Sequence, residues 1–566
     1  MIKHNWFLDW YCDGNRQHQK QLRPWIKFVG SLLIAIILVI IFIFNPVRFF
    51  PNGADLFYRY LKLFFSPVTV NHHYPSYNLW SLSAEFLMIS LGNIFLGTIS
   101  GWIAAMISAY FFTNRFFKNW LWNLGSWLII GLRAFPVFVF LGIWQSGFHS
   151  FDVVVMVFFW FSWLWLHKYF VNIFQNVNLE QYQLYQKIGY ARFSLFYQFI
   201  WQQIKHKSFL FLLFAIESNL RWISLLGSLG VIGLGTLIYQ PIADAAKNFE
   251  EVFIPFLFLF LSLLFFEIVL NFYTKNNSSK TKITNWHPQQ MAQRFYYGDK
   301  FKLLIFGLMF GISIYSLTQL NFHSPANAQM LGYLEGLFNV KWYLFTTDQL
   351  IDNPFYLFFQ VLLQTITIFC WAIFFGIIWG LLASPKIVNK FIAKFFAGFN
   401  LLNRSLPTIL LFYLFNPIFD TSQATVIMIL IFSTSFNFAK KINGMIYKIT
   451  DASLQYYQLL SYSKLWILQQ HFWPRLKQEF WSFSKFEFEL ILRDVVIFGI
   501  FGASLFGQKF ISFATRNPEA FNVYLWTFWL GIIFLEIITN LKLNQLFTKI
   551  TQITLVKNFV NKTAKS

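Results

Sequence analysis

Two carboxylate–guanidinium pairs stand in stretches otherwise apolar enough for a bilayer: Glu217 with Arg221, and Glu489 with Arg493. Ionisable groups inside membrane spans are costly and count by default as functional candidates. At a spacing of four, each pair shares one helical face and can bond within its own helix. One reading is that the pairs neutralise themselves or brace the chain. The other is that Arg221 and Arg493, together with Arg133 and Arg404, line a cavity and favour an anionic solute. A guanidinium offers two-point donation that suits phosphate or phosphonate oxygens. Arg133 and Arg404 each precede a proline by three positions, in Arg133-Ala-Phe-Pro136 and Arg404-Ser-Leu-Pro407. Beside such a kink, the plainer role for the arginine is an anchor at the cytoplasmic end of a helix.

Other chemistries find little support. The stretch Gly227-Ser-Leu-Gly230-Val-Ile-Gly-Leu-Gly235 resembles a phosphate-cradling loop but lacks the Gly-Lys-Ser/Thr ending, and no such loop occurs elsewhere in the sequence. In an apolar setting, close helix packing or a break near a gate explains these glycines better. This chain is therefore expected not to hydrolyse ATP, to bind no cofactor itself and to be no enzyme. Cys12 and Cys370 lie too far apart to suggest a disulfide framework or a metal cluster. His72 and His73 are explained by loop polarity.

The residues of interest recur in a register. Glu217, Arg221, Gly227, Gly230 and Gly235 are followed 272 positions later by Glu489, Arg493, Gly499, Gly502 and Gly507 (489 − 217 = 507 − 235 = 272). Upstream, Tyr185-Gln186 matches Tyr457-Gln458, Tyr190 matches Tyr462 and Trp201 matches Trp473. One position out of register, Arg133 to Pro136 matches Arg404 to Pro407. Near the ends, Glu267-Ile-Val-Leu-Asn271 resembles Glu536-Ile-Ile-Thr-Asn540. The chain is a tandem duplication.

Composition says what positions these residues. Of 566 residues, 57% are hydrophobic and 12% charged, against about a quarter charged in soluble domains. Runs of about 20 apolar residues, enough to cross a bilayer, fall at roughly 29–45, 80–112, 122–146, 152–172, 207–238 and 252–273, and again at 303–320, 355–383, 397–416, 422–439, 485–512 and 522–540. The expectation is an all-α polytopic membrane protein of about 12 transmembrane helices, arranged as two parallel six-helix repeats. The boundaries read as a cytoplasmic segment 1–28, a first repeat 29–273, a basic cytoplasmic linker 274–302, a second repeat 303–540 and a cytoplasmic tail 541–566. The first apolar run lacks a small-residue cleavage site and reads as a retained helix.

The net charge of +21 sits mainly in alternate loops. Arg115 and Lys118, Lys187 to Lys207, Lys275 to Lys302, Lys386 to Lys394, and Lys440 with Lys441 all fall on the side expected to face the cytoplasm. With no continuous basic patch, nucleic acid is not an expected partner; membrane lipid is.

Between the fourth and fifth spans of each half lies a long internal segment, 176–206 and 442–484. It reads as two short amphipathic helices joined at a small residue, Gly189 or Ser461, making a compact knob for a cytoplasmic partner. A helix lying on the inner leaflet is the alternative. These segments resemble the coupling loop of binding-protein-dependent importer permeases. Gly189 fits the glycine of that pattern, and Pro474, thirteen after Ser461, fits its proline. Gln183 and Gln455 stand where an acidic residue is usual, Ser461 replaces the second glycine and Gln202 the first proline. The following span, Phe488-Glu489-x-x-x-Arg493 to Gly499-x-x-Gly502, resembles the phosphonate-type permeases, as do Arg133 to Pro136 and Arg404 to Pro407. The resemblance spans most of both halves. It implies a type I ABC importer permease with two usually separate subunits fused, for an anionic organophosphorus solute. It also implies two partners, a cytoplasmic ATPase dimer that binds the ATP and an extracytoplasmic substrate-binding lipoprotein. An ion-gradient-driven secondary transporter remains the alternative; it would not need two matching internal loops.

Overall fold

The computed structural model describes residues 8–12, 18–22, 39 and most of 47–540; outside it lie 114–115, 117–119, 149, 245–247, 281–287, 321–326, 348, 448–454, 458, 463–466, 468–472, 517 and everything after 540. The expected first span, 29–45, falls outside the described residues apart from Val39.

The helices come in two matching series. The first comprises α1 (Gly53–Phe64), α2 (Leu79–Phe112), α3 (Trp120–Ala134), α4 (Val137–Gly147), α5 (Ser150–Gln175), α6 (Glu180–Lys187), α7 (Arg192–Leu195), α8 (Gln202–Ser228), α9 (Leu234–Ala243) and α10 (Phe253–Lys280). After α11 (Pro288–Gln319), the second comprises α12 (Asn327–Phe338), α13 (Pro354–Leu382), α14 (Lys390–Arg404), α15 (Thr408–Phe415), α16 (Ser422–Tyr447), α17 (Trp473–Ile497), α18 (Leu505–Arg516) and α19 (Pro518–Asn540). The repeat register carries through: α5 and α16 are offset by 272 at both ends (422 − 150 = 447 − 175).

Local sequence accounts for many of the boundaries. Asn78 caps α2 by accepting from the Trp80 amide, and Asn353 caps α13 by accepting from Phe355 and Tyr356. Pro354 opens α13, and Pro474 stands in the first turn of α17, where a missing N–H leaves no bond unmade.

The architecture is that of an all-α polytopic membrane protein, with two small departures. Strands β1 (Leu8–Cys12) and β2 (His18–Leu22) form one antiparallel hairpin, and β3 (Val70–Asn71) and β4 (Tyr74–Asn78) another. The expected count of about 12 spans is not met by length and apolarity. Among the described residues six helical stretches qualify, or seven if a bent pair is one span. The shortfall has physical causes. The run 122–146 is broken at Pro136 into α3 and α4, bent by 85°, and 397–416 is broken at Pro407 into α14 and α15. The run 485–512 turns back at its glycines, whereas 207–238, which turns back in the same way, still leaves a long enough span over Arg192–Ser228. Helix α17 also carries too many charges, and α11, α15 and α19 supply only shorter apolar stretches. The expected linker 274–302 is partly helical, since α10 continues to Lys280 and α11 starts at Pro288.

The repeats clasp one another outside their bundles. Helix α1 lies on the end of α15: Gly53 abuts the backbone of Pro417 and Ile418, the Phe50 amide donates to Ile418 O at 2.8 Å, and the Phe57 and Phe415 rings are 5.1 Å apart. Reciprocally, α12 lies on α4, with Tyr333 against Gly142 and Met330 against Gly147. Nearby, His73 Nε2 bonds Asp244 Oδ2 at 2.8 Å, tying two loops of the first repeat.

Candidate functional site

The four arginines singled out by sequence meet the two glutamates, Arg221 and Arg493 within their own helices and Arg404 and Arg133 across the repeats. In one set, Glu217 and Arg221 of α8 pair within the helix, as their spacing predicts. Arg404, at the end of α14 in the other repeat, reaches in and donates to Glu217 Oε1 at 3.2 Å. It also donates to both oxygens of Glu267 on α10, at 3.0 and 3.1 Å. Lys440 of α16 completes the set, 2.7 Å from Glu267 Oε1.

The second set repeats this arrangement with the repeats exchanged. Glu489 and Arg493 of α17 pair at 2.9 Å. Arg133, from α3 of the first repeat, pairs with Glu536 of α19 and lies 4.0 Å from Glu489. Lys168 of α5 is 3.8 Å from Glu536. Each set therefore joins two carboxylates and an arginine from one repeat to an arginine and a lysine from the other. Three cations face two carboxylates in each.

The proline breaks position Arg133 and Arg404. A helix that continued past residue 134 or 404 would carry the arginine onward along a straight span; the kink ends the first segment inside the bundle. Arg493 uses the loose end thus created, donating to Arg133 O at 2.8 Å and Phe135 O at 3.3 Å. It thereby satisfies carbonyls that a helix terminus leaves open. Arg133 and Arg404 are both buried and paired across the repeats.

Exposure grades the sets. The four carboxylates and the arginines Arg133, Arg404 and Arg493 have side chains at most 13% exposed, whereas Lys168, Lys440 and Arg221 are 47, 39 and 28% exposed. The acids sit behind with these arginines, and the two lysines and Arg221 in front. Lys440, read from sequence as a loop charge, lies within α16. Sequence reasoning also missed Glu267, Glu536 and Lys168 as partners. The repeat register was the available signal, since Lys168 and Lys440 are 272 apart and Glu267 and Glu536 are 269 apart.

The glycines serve a turn rather than a phosphate. Gly230 and Gly502 adopt φ of 78° and 82°, a left-handed conformation open mainly to glycine. A Cβ on Gly227 would meet the Gly235 backbone, and one on Gly499 the Gly507 backbone. Each trio folds α8 onto α9, and α17 onto α18.

The two internal segments match in detail. The described residues hold four in the left-handed region: Gly189 at 94°, Ser461 at 58°, and the two glycines above. The Tyr190 amide donates to Tyr185 O at 3.2 Å and the Tyr462 amide to Tyr457 O at 3.3 Å. Gln183 and Gln455 are both exposed beside these turns.

The chain is 25% identical over 549 residues to the ABC transport system permease protein p69 of Mycoplasma genitalium, a match covering 94% of this chain and 95% of that protein. It is likewise 25% identical over 477 residues to the protein of the same name from Mycoplasma pneumoniae, covering 84% of this chain and 86% of that one. No protein-family model matches the chain, and no solved structure does.

Proposed function

We propose that this chain is the membrane-spanning permease of an ATP-binding-cassette importer, carrying both halves of the pathway. Similarity to two permeases over nearly the whole length supports the transporter class. The observation that carries the mechanism is the reciprocal ionic sets, which couple α8 and α10 of one repeat to α14 and α16 of the other, and the converse. Any rocking of the repeats must rearrange both sets together, which is what alternating access between two parallel halves requires.

In this mechanism a cytoplasmic ATPase dimer holds the loops at Gly189 and Ser461, with both termini on the same side. ATP binding draws the loops together and opens the repeats outward. Solute delivered by an extracytoplasmic binding lipoprotein enters between α8 and α17, and hydrolysis restores the inward-open state. An anionic solute, a phosphonate or phosphate ester, fits the more open cations Arg221, Lys168 and Lys440 backed by buried acids. Chains of this class sit in the cell membrane and leave the phosphoanhydride chemistry to the partner.

The test is cross-linking from a single cysteine at Ser461, with Cys12 and Cys370 replaced, in native membranes. A nucleotide-dependent cross-link to an ATPase supports the reading. A cysteine that labels from the aqueous side but captures no partner would replace it with an ion-gradient-driven transporter.

A further inference from the structure

Two carboxylates of α17 belong to neither ionic set. Glu487 is 5% exposed, and the half-buried Asp494 lies seven residues on, on the same side of the helix and about 10 Å along its axis. Among the described residues neither accepts a hydrogen bond or joins an ion pair. Glu487 nevertheless lies within electrostatic reach of Asp494 on its own helix and of Arg404 and Arg221 in the first set. Of these cations Arg221 is the more open one, on α8 across the proposed pathway. A carboxylate kept inside the bundle without a bonded partner is costly and marks a functional position.

Symmetry separates these acids from the brace. Every charge of the two sets recurs in the other repeat, as a clasp between like halves requires. Glu487 and Asp494 do not recur: 272 positions earlier stand Ala215 and Trp222 (487 − 215 = 494 − 222 = 272). Parallel repeats place equivalent positions at one depth, so the acids of α17 are matched on α8 by a small residue and an indole. Trp222 packs on Phe161 with ring centroids 5.4 Å apart, and an indole face attracts a cation, as a carboxylate does. A feature present once in a duplicated pathway answers to something that itself lacks two-fold symmetry. A solute lying between the halves is such an object.

Resting on the permease reading above, we infer that Glu487 and Asp494 form the subsite for a cationic group on the solute. Arg221, Lys168 and Lys440 take its phosphonate or phosphate oxygens, and the two acids of α17 take an ammonium group at its other end. The substrate class narrows from organophosphorus anions to organophosphorus zwitterions, with the amine read by the second repeat alone. Two turns of helix separate the acids, so a countercharge stays beside the amine as it moves along α17.

The experiment follows thermal unfolding of the purified full chain in detergent with two probes that differ only by an amine, ethylphosphonate and 2-aminoethylphosphonate. Both should stabilise wild type, the amine reaching its half-maximal shift at about tenfold lower concentration. Glu487→Gln combined with Asp494→Asn should erase that preference and leave the ethylphosphonate shift in place, whereas Arg221→Gln should weaken both probes. Equal shifts by the two probes in wild type, or a preference that survives in the double variant, overturns the inference and leaves the permease reading standing. No shift with either probe defeats the anionic-solute reading and the inference together. A shift by sodium or potassium chloride alone, lost in the double variant, assigns the acids to a free alkali cation and overturns the inference too. The ligand-free midpoint is the second readout. Removing two unbonded carboxylates should leave it unchanged or raise it; a fall as large as that of Glu267→Leu would make them part of the brace and overturn the inference.

Discussion

Removing Glu267 should destabilise the protein more than removing Arg404, although the two form one pair. Glu267 accepts two bonds from Arg404 at 3.0 and 3.1 Å and one from Lys440 at 2.7 Å. In Glu267→Leu, the three cations of that set are left with Glu217 alone. Loss of one partner from a buried pair costs about 3–5 kcal/mol, and the partly hydrated Lys440 adds little to that. In Arg404→Met each carboxylate keeps a cation, Glu217 with Arg221 and Glu267 with Lys440. The cost should then be that of lost charge-assisted bonds, about 1.5–3 kcal/mol. The double variant preserves the excess of one cation and fills the site with apolar volume, so it should be more stable than Glu267→Leu alone. The assay is a double-mutant cycle by tryptophan fluorescence during unfolding in mixed dodecylmaltoside and SDS micelles. Additive effects, or an Arg404→Met variant weaker than Glu267→Leu, would refute the charge count on which the argument rests.

Because the second set repeats the first, Glu536→Leu should destabilise to a similar extent in the same assay, and an unchanged midpoint would mean that Arg133 and Lys168 find no need of it. Gly499→Ala drives a Cβ into the Gly507 backbone and should lower stability by about 1–3 kcal/mol, while Gly398→Ala in α14, where a Cβ meets nothing within 4 Å, should leave it unchanged or raise it. Ser461→Gly relieves a left-handed serine and should stabilise its turn by about 1 kcal/mol, seen as slower amide exchange over 455–462; Gly189→Val should do the reverse over 183–190. Arg221→Gln should reduce uptake of an anionic solute far more than it shifts the unfolding midpoint, because this arginine is the more open member of its pair.

The sequence was readable where chemistry is local. The spacing of Glu217 and Arg221 predicts their intrahelical bond, the small residues 189 and 461 predict turns, and the 272-residue register predicts that whatever one half does, the other repeats. What it did not disclose was the exchange between halves. Nothing in the spacing of Arg404 says that it will seek Glu267 rather than a partner of its own repeat, because that choice depends on how bundles pack. The span count failed for a related reason. Apolar runs mark residues that avoid water, and Pro136, Pro407 and the glycine turns break such runs into helices sheltered by protein as much as by lipid.

The exchanged pairing also sets an order of events during synthesis. Arg133 and Lys168 emerge some 350 residues ahead of Glu489 and Glu536 (489 − 133 = 356), an interval of roughly 20–70 s at ordinary rates of translation. Glu267 waits for Arg404 in the same way, for a shorter time. Throughout that interval the first repeat holds membrane-embedded charges whose partners do not yet exist, together with an α4 surface that α12 has yet to cover. The newborn first half is thus an unfinished object, whose buried charges are answered only when the second half arrives.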